Sequence, residues 1–148
     1  MSINRIHSKG DYRQEEAPAA EAGIYPGMLL ALASDGDIGI HADEGGRAER
    51  AIAMEDALQG KTVDDVYTIA TICTYCLFLP GSEANVLIEA GQDLDIGTEL
   101  ISAGNGKFKA LSDLESGETA DQVIAISMAA LDLTGTGDAD TLSPVRFL

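Results

Sequence analysis

Residues 25–56, YPGMLLALASDGDIGIHADEGGRAERAIAMED, constrain the fold of this 148-residue chain more than any other stretch. They hold three short apolar runs: 28–33 (MLLALA), 38–41 (IGIH) and 50–55 (RAIAME). Each is too short to make a helix that buries a face, so each reads as a strand. Ser34-Asp35-Gly36-Asp37 between the first two is a tight-turn signature, with Gly36 available for a positive φ. Asp43–Gly46 is a loop. In the third run small Ala51 and Ala53 alternate with larger Ile52 and Met54, which predicts one tight face and one packed face.

The same grammar continues. Residues 66–79 (VYTIATICTYCLFL) are apolar on both alternating sets and end at Pro80-Gly81. This predicts a strand covered on both faces, central to a barrel or lying in a subunit interface. Shorter runs follow at 85–90, 99–102, 107–111 and 145–148. Asn105-Gly106 is a strong hairpin signal between the second and third of these. Residues 123–133 fit a strand or a helix. About eight short strands with frequent turns predict an all-β, mainly antiparallel fold, a small barrel or sandwich. One domain is expected over 23–148. Residues 1–22 lack periodicity, and QEEAPAAEA at 14–22 is broken by Pro18. They read as an extended N-terminal arm that orders against a partner.

Charge narrows the partners. The net charge is −16. Direct binding to nucleic acid or to an anionic membrane face is disfavoured, because both repel such a surface. Residues 1–14 run the other way, with Arg5, Lys9 and Arg13 against Asp11 alone. A basic arm on an acidic body suits docking on an acidic neighbour. The N-terminus lacks an apolar signal-peptide core, and no apolar run approaches the ~20 residues that span a bilayer. The chain is therefore expected to be made in the cytoplasm.

No motif points to catalysis. Cys73-Thr74-Tyr75-Cys76 matches C-x-x-C, but within a strand the two sulfurs face opposite ways, which predicts inert, buried thiols. The acid pairs Asp35/Asp37, Asp64/Asp65 and Asp93/Asp95 fall in turns, where Asp serves local hydrogen bonding. Gly135–Asp140 lacks the spacing of a calcium loop. His7 and His41 have no recognisable nucleophile beside them, and His41 reads as a surface residue at a strand end. A non-enzyme without cofactor or metal is the expectation.

The ordered phrases along the chain carry a family pattern. They are Pro26-Gly27 before an apolar run, Ser-Asp-Gly-Asp at 34–37, His-Ala-Asp-Glu-Gly-Gly at 41–46 and AIAMEDALQGK at 51–61. VDDVY at 63–67, AGQ at 90–92, GTEL at 97–100 and SAGNG at 102–106 follow. This series, over residues 22–112, resembles the capsid cement, or decoration, proteins of tailed bacteriophages. The resemblance implies a small β-barrel on the outer face of an assembled shell. There it would bind between major capsid protein subunits, stabilise the shell and form a homo-oligomer, a trimer favoured over a dimer. The N-terminal segment is longer than the starts typical of that family. Arg5, Lys9, Tyr12 and Arg13 are its candidate capsid contacts. A carbohydrate- or small-molecule-binding β-barrel module is the alternative, and it would need an aromatic-lined pocket.

Overall fold

The computed structural model describes residues 3–148 and is almost entirely β. In chain order the strands are β1 His7–Lys9, β2 Tyr12–Pro18, β3 Leu30–Leu32, β4 Ile38–Ile40, β5 Ala51–Ala53 and β6 Ile72–Phe78. They continue as β7 Glu83–Ile88, β8 Asp93–Leu94, β9 Glu99–Ser102, β10 Phe108–Ala110, β11 Ala125–Ser127, β12 Leu131–Asp132 and β13 Thr141–Phe147. Residues 123–133, open between strand and helix, form the two short strands β11 and β12.

Five strands close into a barrel, in the order β7-β10-β9-β11-β13 and back to β7. All these pairings are antiparallel except the closure between β10 and β7, a parallel contact at Phe108↔Ile88. The β9–β10 hairpin turns through Gly104-Asn105-Gly106, closed by Ala103 N–H to the Lys107 carbonyl at 2.9 Å. Asn-Gly thus marks the hairpin, but the loop has three residues, with positive φ at both Gly104 and Gly106. Gly106 also lies against β4, where a Cβ would sit 2.9 Å from the Ile40 methyl.

A second layer packs on the barrel. It comprises the three-stranded sheet β2-β6-β5 and the β3-β4 hairpin. Two apolar cores result, and β5 and β6 form the wall between them. Ile52, Cys76 and Phe78 face the barrel core, together with Val86, Leu100, Phe108 and Phe147. Ala51, Ala53, Cys73 and Tyr75 face the second core, with Ile24, Leu30 and Ile38. The tight and packed faces expected of residues 50–55 are therefore both real.

The two-faced run is a wall between cores of one chain, not a barrel strand or an open face. It is also shorter than the sequence implied. The strand begins at Ile72, because Ala70 takes a left-handed φ of 64° and Thr71 N–H turns back to the Thr68 carbonyl at 3.2 Å. This leaves Val66 and Ile69 exposed in a loop.

Residues 1–22 are expected to form an extended arm, but those described, 3–22, are largely woven into the body. β1 adds to β7 antiparallel, with His7 opposite Ala84. β2 pairs with β6 over seven positions, from Tyr12↔Phe78 to Pro18↔Ile72. Ile6 is fully buried in the barrel core, and Ala17 and Ala19 are buried in the second. The physical reason is the alternating apolar wall of β6, which needs a strand on each side. The Ala/Glu-rich stretch supplies small side chains where that wall is crowded.

Candidate functional site

The four candidate contact residues lie on one corner, where β1 turns into β2. The turn depends on Gly10, whose φ is 84° and where a Cβ would lie 2.6 Å from Ser82 Oγ. Ser82 Oγ then clasps the turn twice, accepting from Asp11 N–H at 3.0 Å and donating to the Asp11 carbonyl at 2.8 Å. Upstream, Ile6 N–H donates to Glu55 Oε2 at 3.1 Å, and Asn85 Nδ2 donates to the Arg5 carbonyl at 2.8 Å. The corner's backbone is thus held by the side chains of Ser82, Glu55 and Asn85, with the side chains of Arg5, Lys9, Tyr12 and Arg13 exposed.

Each of the four has its own setting. Lys9 Nζ lies 3.6 Å from Glu83 Oε2, and Arg146 donates to the other oxygen of Glu83 at 2.9 Å. The Arg146 hydrogen bond, with the Lys9 charge beside it, holds the Glu83 carboxyl below the usual carboxylate range. Arg13 pairs with Glu15 on the same face of β2. Arg5 offers an exposed guanidinium. Tyr12 leads an aromatic ladder that runs from the surface into the barrel. Its ring is 4.6 Å from His7 and 5.7 Å from Phe78, and Phe78 stacks on Phe147 at 5.1 Å. The sequence spacing of these aromatics does not show the ladder, because it joins strands far apart in the chain.

The remaining chemistry-bearing residues take structural positions. Cys73 and Cys76 point into different cores, as strand geometry requires, and burial pushes both thiols up to about 12. Neither sulfur is expected to react with an aromatic disulfide reagent at pH 8 in the native protein, whereas both should react in denaturant. A raised folded pKa means that these thiols support stability below the ordinary thiol pKa near 9 and stop doing so as pH rises through 12.

His41 is buried, not on the surface. Ser102 Oγ at 2.8 Å and the Arg47 carbonyl at 3.0 Å occupy its two ring nitrogens, which is what makes burial tolerable. Lys109, which alternates with Phe108 in the sequence, is also buried and reaches Glu44. Asp35 Oδ1 accepts from Asp37 N–H at 3.1 Å, and Asp65 Oδ2 accepts from Thr62 N–H at 2.7 Å, so two of the three acid pairs lie in hydrogen-bonded turns, whereas in the third Asp93 belongs to strand β8 and not to a turn. Among the described residues no group of three His, Cys, Asp or Glu side chains converges to hold a metal.

Two open clefts indent the surface. One, of about 510 Å³, is lined by Tyr25, Pro26, Leu87 and Leu142 with the carboxylates of Asp64 and Asp140. The other, of about 520 Å³, lies beside the exposed loop that carries Val66 and Ala70.

The chain is thus a closed five-stranded barrel backed by a second sheet, with the four candidate contact residues on one surface corner. This fold is similar over almost the whole length to a solved structure, the N base of the head fiber gp8.5 of bacteriophage phi29. The likeness covers 93% of this chain and 95% of that one, with a TM-score of 0.58 and 14% sequence identity. At that identity it is a likeness of fold. No known protein family and no curated protein matches the sequence.

Proposed function

We propose that this chain is a structural virion protein that binds the outer surface of an assembled phage capsid between major capsid protein subunits and stabilises the shell. The observation that carries the reading is the full-length fold likeness to a phage head fiber base. It agrees with the cement-protein pattern of the sequence, which rests on different evidence. A non-enzymatic role fits the buried thiols and the two acid pairs Asp35/Asp37 and Asp64/Asp65 held in turns.

Attachment takes place through the β1–β2 corner. The basic side chains of Arg5 and Lys9 meet acidic capsid surface there, while the rest of the chain faces outward with its negative charge. Because the corner's backbone is already hydrogen-bonded to the body, binding orders little of it, and many weak copies add up on a symmetric shell. Co-sedimentation with purified expanded heads of the encoding phage tests this. Wild type should pellet with the heads in a saturable manner. The double variant Arg5→Glu/Lys9→Glu should bind at least about tenfold more weakly, since each reversal replaces an attraction with a repulsion. Its melting temperature should stay near wild type. Unchanged binding by the double variant would remove the corner from the contact.

The alternative, a small-molecule-binding module, draws on the cleft beside Tyr25. Its single exposed ring lies among the apolar side chains of Ile3, Pro26, Val63, Leu87 and Leu142, with Asp64 at the edge and Asp140 already paired with Lys107. Saturation-transfer NMR with a panel of neutral oligosaccharides separates the two readings. Signal transfer that disappears in Tyr25→Ala would favour the module.

A further inference from the structure

β2 is an edge strand. Leu79 N–H bonds to the Asp11 carbonyl at 3.2 Å and Ala19 N–H to the Thr71 carbonyl at 2.8 Å. These two bonds fix the phase of the ladder. Arg13, Glu15 and Ala17 turn their backbone groups to β6, and Tyr12, Gln14 and Glu16 turn theirs away. Among the described residues nothing meets those outward N–H and C=O groups, while beyond Pro18 the edge is covered by β4 through the Ala19↔Ile38 bridge. The free stretch is therefore short and bounded, with three outward-facing residues whose side chains are exposed.

We propose that a second copy of this chain pairs its β2 antiparallel with this edge, across a twofold axis through Gln14. The sequence of the strand selects both the partner and the register. With Gln14 on the axis, Gln14 faces Gln14, Tyr12 faces Glu16 and Arg13 faces Glu15 of the second copy. Each opposed pair is complementary: two amides, a phenol with a carboxylate, and a cation with an anion. Centring the axis on Arg13, Glu15 or Glu16 instead sets like charges face to face. Centring it on Tyr12 carries Gln14 against Gly10 and shortens the complementary stretch. Charged side chains and Pro18 guard the edge against other strands, as edges in soluble proteins commonly are guarded.

The three outward residues of each copy supply about six backbone hydrogen bonds. The contact is small, so it is weak in dilute solution, and two bodies of charge −16 repel until salt screens them. Association should therefore strengthen with ionic strength. A twofold contact closes at two copies, in place of the trimer expected from the family pattern. It also assigns Tyr12 and Arg13 to the seam, leaving Arg5 and Lys9 for the capsid. The inference rests on the fold and not on the capsid reading.

The test uses the full chain without capsids. Paired residues on the axis lie about 5.5 Å apart at Cα, within disulfide reach. Gln14→Cys should form a disulfide-linked dimer under mild oxidation at high salt, on the order of tenfold or more faster than a cysteine at exposed Ser112. Gln14→Pro removes only an outward N–H and leaves the β6 ladder intact, so it should keep its melting temperature. In sedimentation at high salt it should stay at 15.4 kDa while wild type shifts toward twice that mass. Equal cross-linking at the two cysteines, a wild type that stays monomeric, or a Gln14→Pro variant that associates like wild type would each overturn the proposal.

Discussion

Deleting residues 2–22 is expected to abolish cooperative folding of the chain, not merely its binding. The deletion removes Ile6 from the barrel core, where its full burial stabilises by about 1.5–3 kcal/mol. It removes the seven-position β2–β6 ladder, whose hydrogen bonds contribute roughly 1 kcal/mol each. It also uncovers β6, so that Cys73 and Tyr75 lose the cover of Ala17 and Ala19. The total, on the order of 5–10 kcal/mol, rivals the whole stability of a domain this size. A thermal melt followed by circular dichroism should show a sharp transition for the full chain and none for the truncated one. A truncated chain that melts sharply within a few degrees of wild type would make β1 and β2 peripheral. For this reason point variants, not truncations, are the right probes of the corner.

Phe78→Ala is expected to be the most damaging single substitution at the wall between the cores. The ring is 2% exposed, stacks on Phe147 and supports Tyr12 and His7 from below. Its removal leaves a cavity at the meeting point of β6, β13 and the β1–β2 corner. Truncation of a buried aromatic costs about 3–5 kcal/mol, including the residual void. Urea unfolding should show the midpoint falling by that equivalent with an unchanged slope. Tyr12→Ala, at a residue 41% exposed, should cost much less. A Phe78→Ala loss below about 1 kcal/mol would show that the ladder collapses without penalty and that the corner does not depend on it.

Much of the β fold was legible because its signals are local. The Ser34–Asp37 turn, the Asn105-Gly106 hairpin and the alternation at Ala51–Ala53 are each set by neighbouring residues. The opposed faces of Cys73 and Cys76 follow from strand geometry alone. What was illegible is long-range. Nothing in QEEAPAAEA shows that it would lie beside residues sixty positions away, because an edge strand needs only one apolar partner and can be polar elsewhere. The left-handed turn at Ala70 has no glycine to announce it, so the strand was read as starting too early. His41 and Lys109 are buried by partners (Ser102, Arg47 and Glu44) that only the fold brings near. The four candidate contact residues share a corner, as residues of one short segment can, but the ladder under Tyr12 and the Lys9–Glu83–Arg146 cluster required the structure.

The central claim, that the chain stabilises a phage shell from outside, is tested most directly by heating purified DNA-filled heads of the encoding phage with and without the bound protein. DNA release can be followed with an intercalating dye. Heads saturated with wild type should release DNA several degrees higher than bare heads, and heads mixed with Arg5→Glu/Lys9→Glu should behave as bare ones. Release at the same temperature from bare heads and from heads shown to carry the protein would contradict the account.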